Sequence, residues 1–171
     1  KTMQQTNWVV ITGGPSSGKS TVLKHFKAIG YPITAEMARI FIDEEIARGK
    51  TLVEIRADGR EFQRKVLKMK IDLEEQLPSE QLTFFDRGIP DSIAYYRVFE
   101  CGDAASAFQA SQQRRYRAVF LLEQVPFEQD YARMEDEEKA EEISRFLQEA
   151  YMELGYEVVR IPLLSVKDRA E

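Results

Sequence analysis

The chain has 171 residues, of which 43% are hydrophobic and 31% are charged, and its formal net charge is −5. This length suits one domain with its own core and is too short for two ordinary domains. The acidic balance disfavours a general nucleic-acid-binding role, which ordinarily requires an excess of basic residues. The sequence has a single cysteine, Cys101, and a single histidine, His25, so it excludes an internal disulfide framework and argues against a Cys/His zinc site or a Ser-His-Asp hydrolase.

The sequence contains no segment with the pattern of a membrane span or a secretion signal. Its longest clearly apolar run, Ala118–Leu122, is far shorter than the about 20 residues that a spanning helix needs. We therefore expect a cytoplasmic protein with one nucleotide-binding domain over residues 1–171.

The predicted elements alternate between short apolar strands and amphipathic helices. Strands are predicted at Trp8–Thr12 and at residues 31–34, 82–85, 118–122 and 157–161. Helices are predicted over residues 20–29, 35–48, 58–77, 90–99, 104–115 and 137–154. Apolar strands separated by helices favour a parallel sheet covered on both faces, which is the doubly wound α/β class.

A glycine-rich loop is predicted between the first strand and the first helix. Residues 13–21 read GGPSSGKST and fit the pattern G-x-x-x-x-G-K-[ST] in the position that this motif requires. The backbone N–H groups of such a loop point at phosphate oxygens, and the helix N-terminus adds positive potential. The residues expected to bind the nucleotide are Gly13, Gly14, Pro15, Ser16, Ser17, Gly18, Lys19, Ser20 and Thr21. We expect Lys19 to bridge the β- and γ-phosphates and Ser20 to bind Mg²⁺ through its hydroxyl.

A second Mg²⁺ ligand is predicted where the strand over residues 82–85 ends. Asp86 follows this strand directly, the position at which such an acid anchors a phosphate-bound metal. Arg87 adjoins it, and its planar guanidinium could neutralise charge on a transferred phosphoryl group. Asp86 could instead be a turn or helix-capping residue. Asp91 follows Pro90 at a predicted helix start, so we expect it to be a cap.

Three further positions could bind an acceptor substrate. Glu36 follows the predicted strand over residues 31–34, at the sheet edge where ligands of open α/β folds bind, and its carboxylate could accept a hydroxyl proton. Arg39 lies on the same helical face as Glu36, although the two could equally form a surface ion pair. Arg60 and Arg64 lie four residues apart and could bind an anion, or belong to a solvated basic face.

A strongly acidic stretch precedes the last predicted helix. Residues 128–142 contain eight acidic and two basic side chains. The stretch could be a solvated face whose acids favour the start of the following helix. It could also be a mobile lid over about residues 127–138, in which Arg133 would stabilise a transferring phosphoryl group.

Together these motifs resemble the small AAA-like P-loop ATPases related to the nicotinamide riboside kinase domain of bacterial NAD regulators. The resemblance rests on GGPSSGKST at 13–21, EMAR at 36–39, FFDRGIPDSIAYY at 84–96, DYARMEDEE at 130–138 and YMELGYEVVRIP at 151–162. It implies the nucleoside and nucleotide kinase-like fold, with a five-stranded parallel sheet in the order 2-3-1-4-5. It also implies that Asp86 lies near the metal, Glu36 contacts the acceptor hydroxyl and Arg87 contacts the phosphates.

Two functional hypotheses follow. The first is a Mg²⁺-dependent phosphotransferase that moves the γ-phosphoryl group of ATP to a hydroxyl-bearing small molecule, such as a nucleoside or nucleotide. No N-K-x-D guanine-reading segment is present, which favours ATP and leaves GTP open. The second is a nucleotide-dependent regulatory or binding protein with slow hydrolysis, because the candidate lid carries few arginines.

Overall fold

A computed structural model of the chain describes residues 3–14, 17–123 and 131–162, with the backbone alone over residues 131–137. The strands are β1 (Gln4–Gln5), β2 (Trp8–Thr12), β3 (Thr83–Asp86), β4 (Arg114–Arg115), β5 (Ala118–Leu122) and β6 (Val158–Ile161). The helices are α1 (Lys19–Ala28), α2 (Met37–Ala47), α3 (Leu52–Arg56), α4 (Gly59–Gln76), α5 (Ile89–Val98), α6 (Ala105–Ser111) and α7 (Tyr131–Glu153).

The central sheet is parallel and has the strand order β3-β2-β5-β6. In its register Val10 of β2 lies opposite Phe85 of β3 and Val119 of β5. The short strands β1 and β4 form a separate parallel pair. Because every strand of the central sheet runs in the same direction, the carboxyl ends of β2 and β3 meet at one edge, and Ile11 pairs with Asp86 there.

The predicted strand over residues 31–34 contributes one isolated bridge, Ile33 to Phe84, on the outer side of β3. Pro32 has no N–H to donate to a neighbouring strand. In addition, the N–H of Asp86 donates to the side-chain hydroxyl of Thr34 at 3.1 Å, whereas in a continuous strand pair it would donate to a backbone carbonyl. The described residues therefore form a four-stranded sheet with this bridge beside it, and the predicted five-strand order 2-3-1-4-5 is not confirmed.

Helices cover both faces of the sheet, as expected for the α/β class. The side chains of β2 alternate: Trp8 and Val10 pack with Tyr151 of α7, whereas Val9 and Ile11 pack with Val22 of α1. Helices α5 and α7 pack against each other over the first of these faces. The strands read as continuous apolar runs because both of their faces are buried.

Strands β1 and β4 and one helix were not predicted, and two helix boundaries differ from the predictions. Helix α3 was not predicted, although Thr51 and Glu54 form the capping box that starts it. Helix α7 begins at Tyr131, earlier than the predicted residue 137, because residues 131–136 contain good helix formers and neither Gly nor Pro. Helix α6 ends at Ser111, since the chain then pairs with β1 through β4. Within the described ranges, no helix combines the length and apolar character that crossing a bilayer requires.

A buried acid on α4 links this helix to the start of α5. Tyr116 donates its hydroxyl hydrogen to Oε2 of Glu74, and the same hydroxyl accepts the N–H of Ile89 at 3.0 Å. Burial raises the pKa of Glu74 from its ordinary value near 4.5 to about 7. Glu74 therefore keeps its proton in the folded chain at pH values where the unfolded chain has lost it.

We predict that Glu74→Gln flattens the pH dependence of stability between pH 5 and 7. In the wild type the folded state holds a proton that the unfolded state releases above about pH 4.5, so stability falls as the pH rises toward 7, by about 3 kcal/mol in all. Glutamine keeps an acceptor for Tyr116 and removes this titration. Urea unfolding at pH 5, 6 and 7 measures the slope, and equal slopes in both proteins would contradict the assignment.

Candidate functional site

The glycine-rich loop joins the end of β2 to the start of α1, as the motif requires. Gly13 has φ 158°, and a Cβ placed on it would lie 2.7 Å from the hydroxyl oxygen of Ser17. The chain therefore folds back on itself here in a way that leaves no room for a side chain. Pro15 and Ser16 of the motif lie outside the described residues.

Lys19, the first residue of α1, is buried between two carboxylates. Its Nζ contacts Oδ1 of Asp86 and lies 3.7 Å from Oε2 of Glu36. Burial raises the pKa of Asp86, although the charge and hydrogen bond of Lys19 oppose that rise. The structure thus brings together three residues that the sequence placed at separate strand ends.

Glu36 occupies the N-cap position of α2, makes no capping hydrogen bond through its side chain, and has a second cationic neighbour. Its side chain is 31% exposed, and Oε1 lies 3.6 Å from Nε of Arg87. One carboxylate therefore stands between the lysine of the loop and the arginine that follows β3. This exposure leaves it open to a ligand.

Arg87 is buried in a backbone conformation that side chains rarely adopt, with φ 67°. Its Nη1 donates to Oδ2 of Asp91 at 3.2 Å, and the guanidinium lies over the ring of Tyr95, 5.4 Å from its centroid. Its Nε is buried without a hydrogen-bond partner among the described residues. The guanidinium is held in place while one of its donors is left unpaired.

Asp91 holds this turn against two other elements. Its carboxylate accepts hydrogen bonds from the Thr12 hydroxyl at the end of β2, from the Tyr151 hydroxyl on α7, and from the N–H of Gly88 at 3.1 Å. Burial opposes its ionisation, but the charges of Arg87 and Lys70 and the hydrogen bonds from the Thr12 and Tyr151 hydroxyls hold its pKa below the usual value. The predicted capping role is confirmed, and Asp91 also connects the loop strand to α7.

A cleft of about 540 Å³ opens beside Glu36, between α2, α4 and α5. Its polar lining consists of Glu36, Arg39, Arg56, Gln63, Lys70 and Arg87. Phe62, Val66, Tyr95 and Phe99 supply apolar and aromatic surface. A volume of this size accommodates a small organic ligand.

Lys70, like Arg56 and Gln63, is a lining residue that the sequence analysis missed. It is 7% exposed, its amine donates to the Ser92 hydroxyl at 3.0 Å, and burial lowers its pKa to about 8. Lys70 and Glu74 follow Val66 at steps of four, so the spacing alone placed them on the buried face of α4. A charged residue in an apolar stripe was the signal that could have identified it.

The remaining predicted residues are spread around this centre. Arg39 lines the cleft from an exposed position and pairs with Asp43 at 3.3 Å. Arg60 lies beside Gly102, and Arg64 pairs with Glu61 on an exposed face of α4, so neither lines the cleft. Residues 127–130 of the candidate lid lie outside the described residues, whereas residues 131–138 begin α7. The side chain of Arg133 is likewise outside the described part.

The candidate metal ligands provide oxygen donors. Ser20 and Thr21 are exposed on the first turn of α1, and Asp86 ends β3. A hydroxyl and a carboxylate are hard ligands that suit Mg²⁺, which usually keeps several waters and needs few protein groups. Among the residues that the structure describes, no group of three or more His, Cys, Asp or Glu side chains could hold a metal ion.

Comparison with known proteins gives the family. Residues 8–169 match the model described as an AAA domain. The chain belongs to the AAA domain family. No curated protein sequence matches this AAA domain chain.

Solved structures show the same fold. The AAA domain chain is similar to the NadR protein in complex with NR, with a TM-score of 0.68 and 19% identity over 90% of this chain and 44% of that one. It therefore spans less than half the length of NadR. Deoxyadenosine kinase from M. mycoides is similar with a TM-score of 0.63 and 18% identity, over 95% of this chain and 94% of that one. Thymidylate kinase from Ehrlichia chaffeensis is similar with a TM-score of 0.64 and 14% identity, over 99% of this chain and 95% of that one. The fold is that of the P-loop nucleoside and nucleotide kinases.

We predict that Gly88→Ala destabilises the AAA domain by about 1–3 kcal/mol, as overpacking of a dense core does. A Cβ at this position would lie 2.8 Å from the Tyr151 hydroxyl and 2.9 Å from the Tyr116 hydroxyl, both of which are already hydrogen-bonded. Gly59→Ala, at the first residue of α4, is the control, because its Cβ would meet only Cys101 Sγ at 3.4 Å. Thermal and urea unfolding measure both variants. A Gly88→Ala protein as stable as the wild type would contradict this prediction, because it would show that the tyrosine side chains can move away from the added methyl group without loss of stability.

Proposed function

We propose that the chain is a Mg²⁺-dependent phosphotransferase that moves the γ-phosphoryl group of ATP to the hydroxyl of a small nucleoside-like acceptor. One observation carries the proposal: Glu36 lies between Lys19 of the loop and Arg87 of the cleft, 3.7 Å and 3.6 Å from them. A carboxylate at the junction of a phosphate-binding loop and a substrate-sized cleft is where a base for the acceptor hydroxyl is needed. The likeness of the fold to deoxyadenosine kinase and thymidylate kinase supports this reading.

The loop and the start of α1 would bind the triphosphate. Backbone N–H groups of residues 13–19 would bind phosphate oxygens, Lys19 would neutralise the β- and γ-phosphates, and Thr21 would contact the α-phosphate. Ser20 and Asp86 would hold Mg²⁺, which supplies positive charge against the phosphate oxygens. Lys19 contacts Asp86 in the structure, so phosphate binding would exchange a carboxylate partner of Lys19 for phosphate oxygens.

The transfer step uses groups of this chain. Glu36 would accept the proton of the acceptor hydroxyl while the hydroxyl oxygen forms a bond to the γ-phosphorus. The bond from that phosphorus to the oxygen that bridges it to the β-phosphate would break, and ADP would leave. Arg87 would stabilise charge on the transferring group, and Asp91 keeps its guanidinium in place. Arg133 of α7 would add a second guanidinium from the candidate lid.

We predict that Glu36→Gln lowers the turnover number for phosphoryl transfer by about 10²–10⁴-fold, the usual contribution of a general base. Binding of ATP should change little, because the loop is intact. Glu44→Gln is the matched control, since Glu44 is an exposed acid on the same helix. The measurement is ADP production with a panel of nucleosides and nucleotides. Unchanged turnover in Glu36→Gln with the best acceptor would remove the general-base role.

We predict that Lys19→Met weakens ATP binding by at least about tenfold, which corresponds to the loss of one charge-assisted contact. Lys24→Met, an exposed lysine on the same helix, should bind ATP as the wild type does. Isothermal calorimetry with Mg²⁺ and a non-hydrolysable ATP analogue measures the affinity. Tight binding without transfer to any acceptor would favour the alternative function, a nucleotide-dependent regulatory protein.

A further inference from the structure

The cleft beside Glu36 is cationic in a chain that is acidic overall. Among the described residues, four cations (Arg39, Arg56, Lys70 and Arg87) line it against the single carboxylate of Glu36. The whole chain has a formal net charge of −5. A low-dielectric cleft lined by one sign of charge concentrates ligands of the opposite sign. Arg39 pairs with Asp43 and Arg87 pairs with Asp91, so Arg56 and Lys70 are the lining cations without an ion-pair partner among the described residues, and these two favour an anionic ligand.

Lys70, on the α4 wall of the cleft, feels the charges of Asp91, Glu36 and Glu74 but makes no direct contact with a carboxylate among the described residues. Its only hydrogen bond within the described part of the chain goes to the neutral hydroxyl of Ser92, and no carboxylate there forms an ion pair with it. An ammonium group has three donors, and a buried charge is normally paired. Because its pKa is about 8, the amine still carries its charge at pH 7.

Arg87 provides a second unpaired donor at the same cleft. Its Nε is buried, and the nearest carboxylate oxygen, Oε1 of Glu36, lies 3.6 Å away, beyond hydrogen-bond length. A buried donor without an acceptor is unfavourable by about 1–3 kcal/mol. Arg87 and Lys70 line the same cleft, so both charges would attract an oxyanion that enters it.

We propose that the acceptor carries, besides its reacting hydroxyl, an oxyanion that binds Lys70 in this cleft. The inference rests on the proposed function and names its substrate class: a nucleoside-sized hydroxyl compound with a carboxylate or a phosphate remote from the hydroxyl. Arg39 and Arg56 are exposed at the same cleft and attract the anion toward it. Glu36 remains free for the hydroxyl, since an anion is repelled by it.

Two matched pairs of acceptors test the inference. Uridine and orotidine differ by a carboxylate on the base, and adenosine and adenosine 3′-monophosphate differ by a phosphate, while all four keep a free 5′-hydroxyl. Calorimetry with Mg²⁺ and a non-hydrolysable ATP analogue gives the dissociation constants. We expect the anionic member of at least one pair to bind about tenfold or more tightly than its neutral partner. A preference in only one pair assigns the anion as carboxylate or phosphate.

Variants of α4 connect the preference to Lys70. Lys70→Met should reduce the preference about tenfold, and Lys70→Arg, which keeps the charge, should retain most of it. Lys68→Met is the matched control, because Lys68 is exposed on the same helix and pairs with Asp72 at 3.2 Å. Each variant's melting temperature shows whether it is folded before its affinity is interpreted.

The outcomes separate this inference from the proposed function. Equal binding within both pairs, or a preference that survives in folded Lys70→Met, overturns the anionic acceptor and leaves the phosphotransferase proposal standing if transfer to a neutral nucleoside is detected. Failure to transfer phosphate to any acceptor, with or without an anion, overturns the proposed function and this inference with it.

Discussion

A fully buried carboxylate, Asp91, determines how the parts of the site sit together. It accepts hydrogen bonds from Thr12, which ends the strand before the glycine-rich loop, and from Tyr151 on α7, and it pairs with Arg87. Removing one partner of such a buried network leaves polar groups without water or protein partners, which is strongly unfavourable. The loop strand, the turn after β3 and α7 are thus coupled through one side chain. The unusual φ of Arg87 is tolerated because this network fixes it.

The charges around the glycine-rich loop would allow Lys19 to exchange its carboxylate partners for phosphate oxygens. Lys19 lies against Asp86 and Glu36, so its positive charge is compensated in the protein alone. Under the proposed function, the arriving triphosphate would take over Lys19, and Asp86 would take a cation in its place. The burial that raises the pKa of Asp86 also makes a second, divalent cation a favourable partner for its ionised form. Asp86 could therefore pair with Lys19 when no nucleotide is bound and with the metal ion when the nucleotide is bound.

The sequence was sufficient for the parts of the site that depend on strand ends. The glycine pattern at residues 13–21 and the acid after an apolar strand have local signals, and parallel pairing then brings Asp86 to the edge where the loop begins. Lys70 carried a weaker signal, a charged residue within the apolar stripe of α4, because its role depends on which face of α4 packs inward. The predicted strand over residues 31–34 also depends on contacts that the local pattern does not show. Because Pro32 lacks an N–H and the Thr34 hydroxyl accepts the N–H of Asp86, this segment forms one isolated bridge in place of a strand. The roles of Arg60 and Arg64 depend on helix orientation, which spacing does not specify.

Glu36 links the two halves of the proposed reaction, because it faces Lys19 on the nucleotide side and Arg87 on the cleft side. Phosphate oxygens that bind Lys19 would take one cationic neighbour away from Glu36, and the transferring phosphoryl group would take the other, Arg87. With both substrates bound, the carboxylate would be left to the acceptor hydroxyl. Hydrolysis of the nucleotide without an acceptor would then be slow, since no bound hydroxyl would hold a nucleophilic oxygen between Glu36 and the γ-phosphorus.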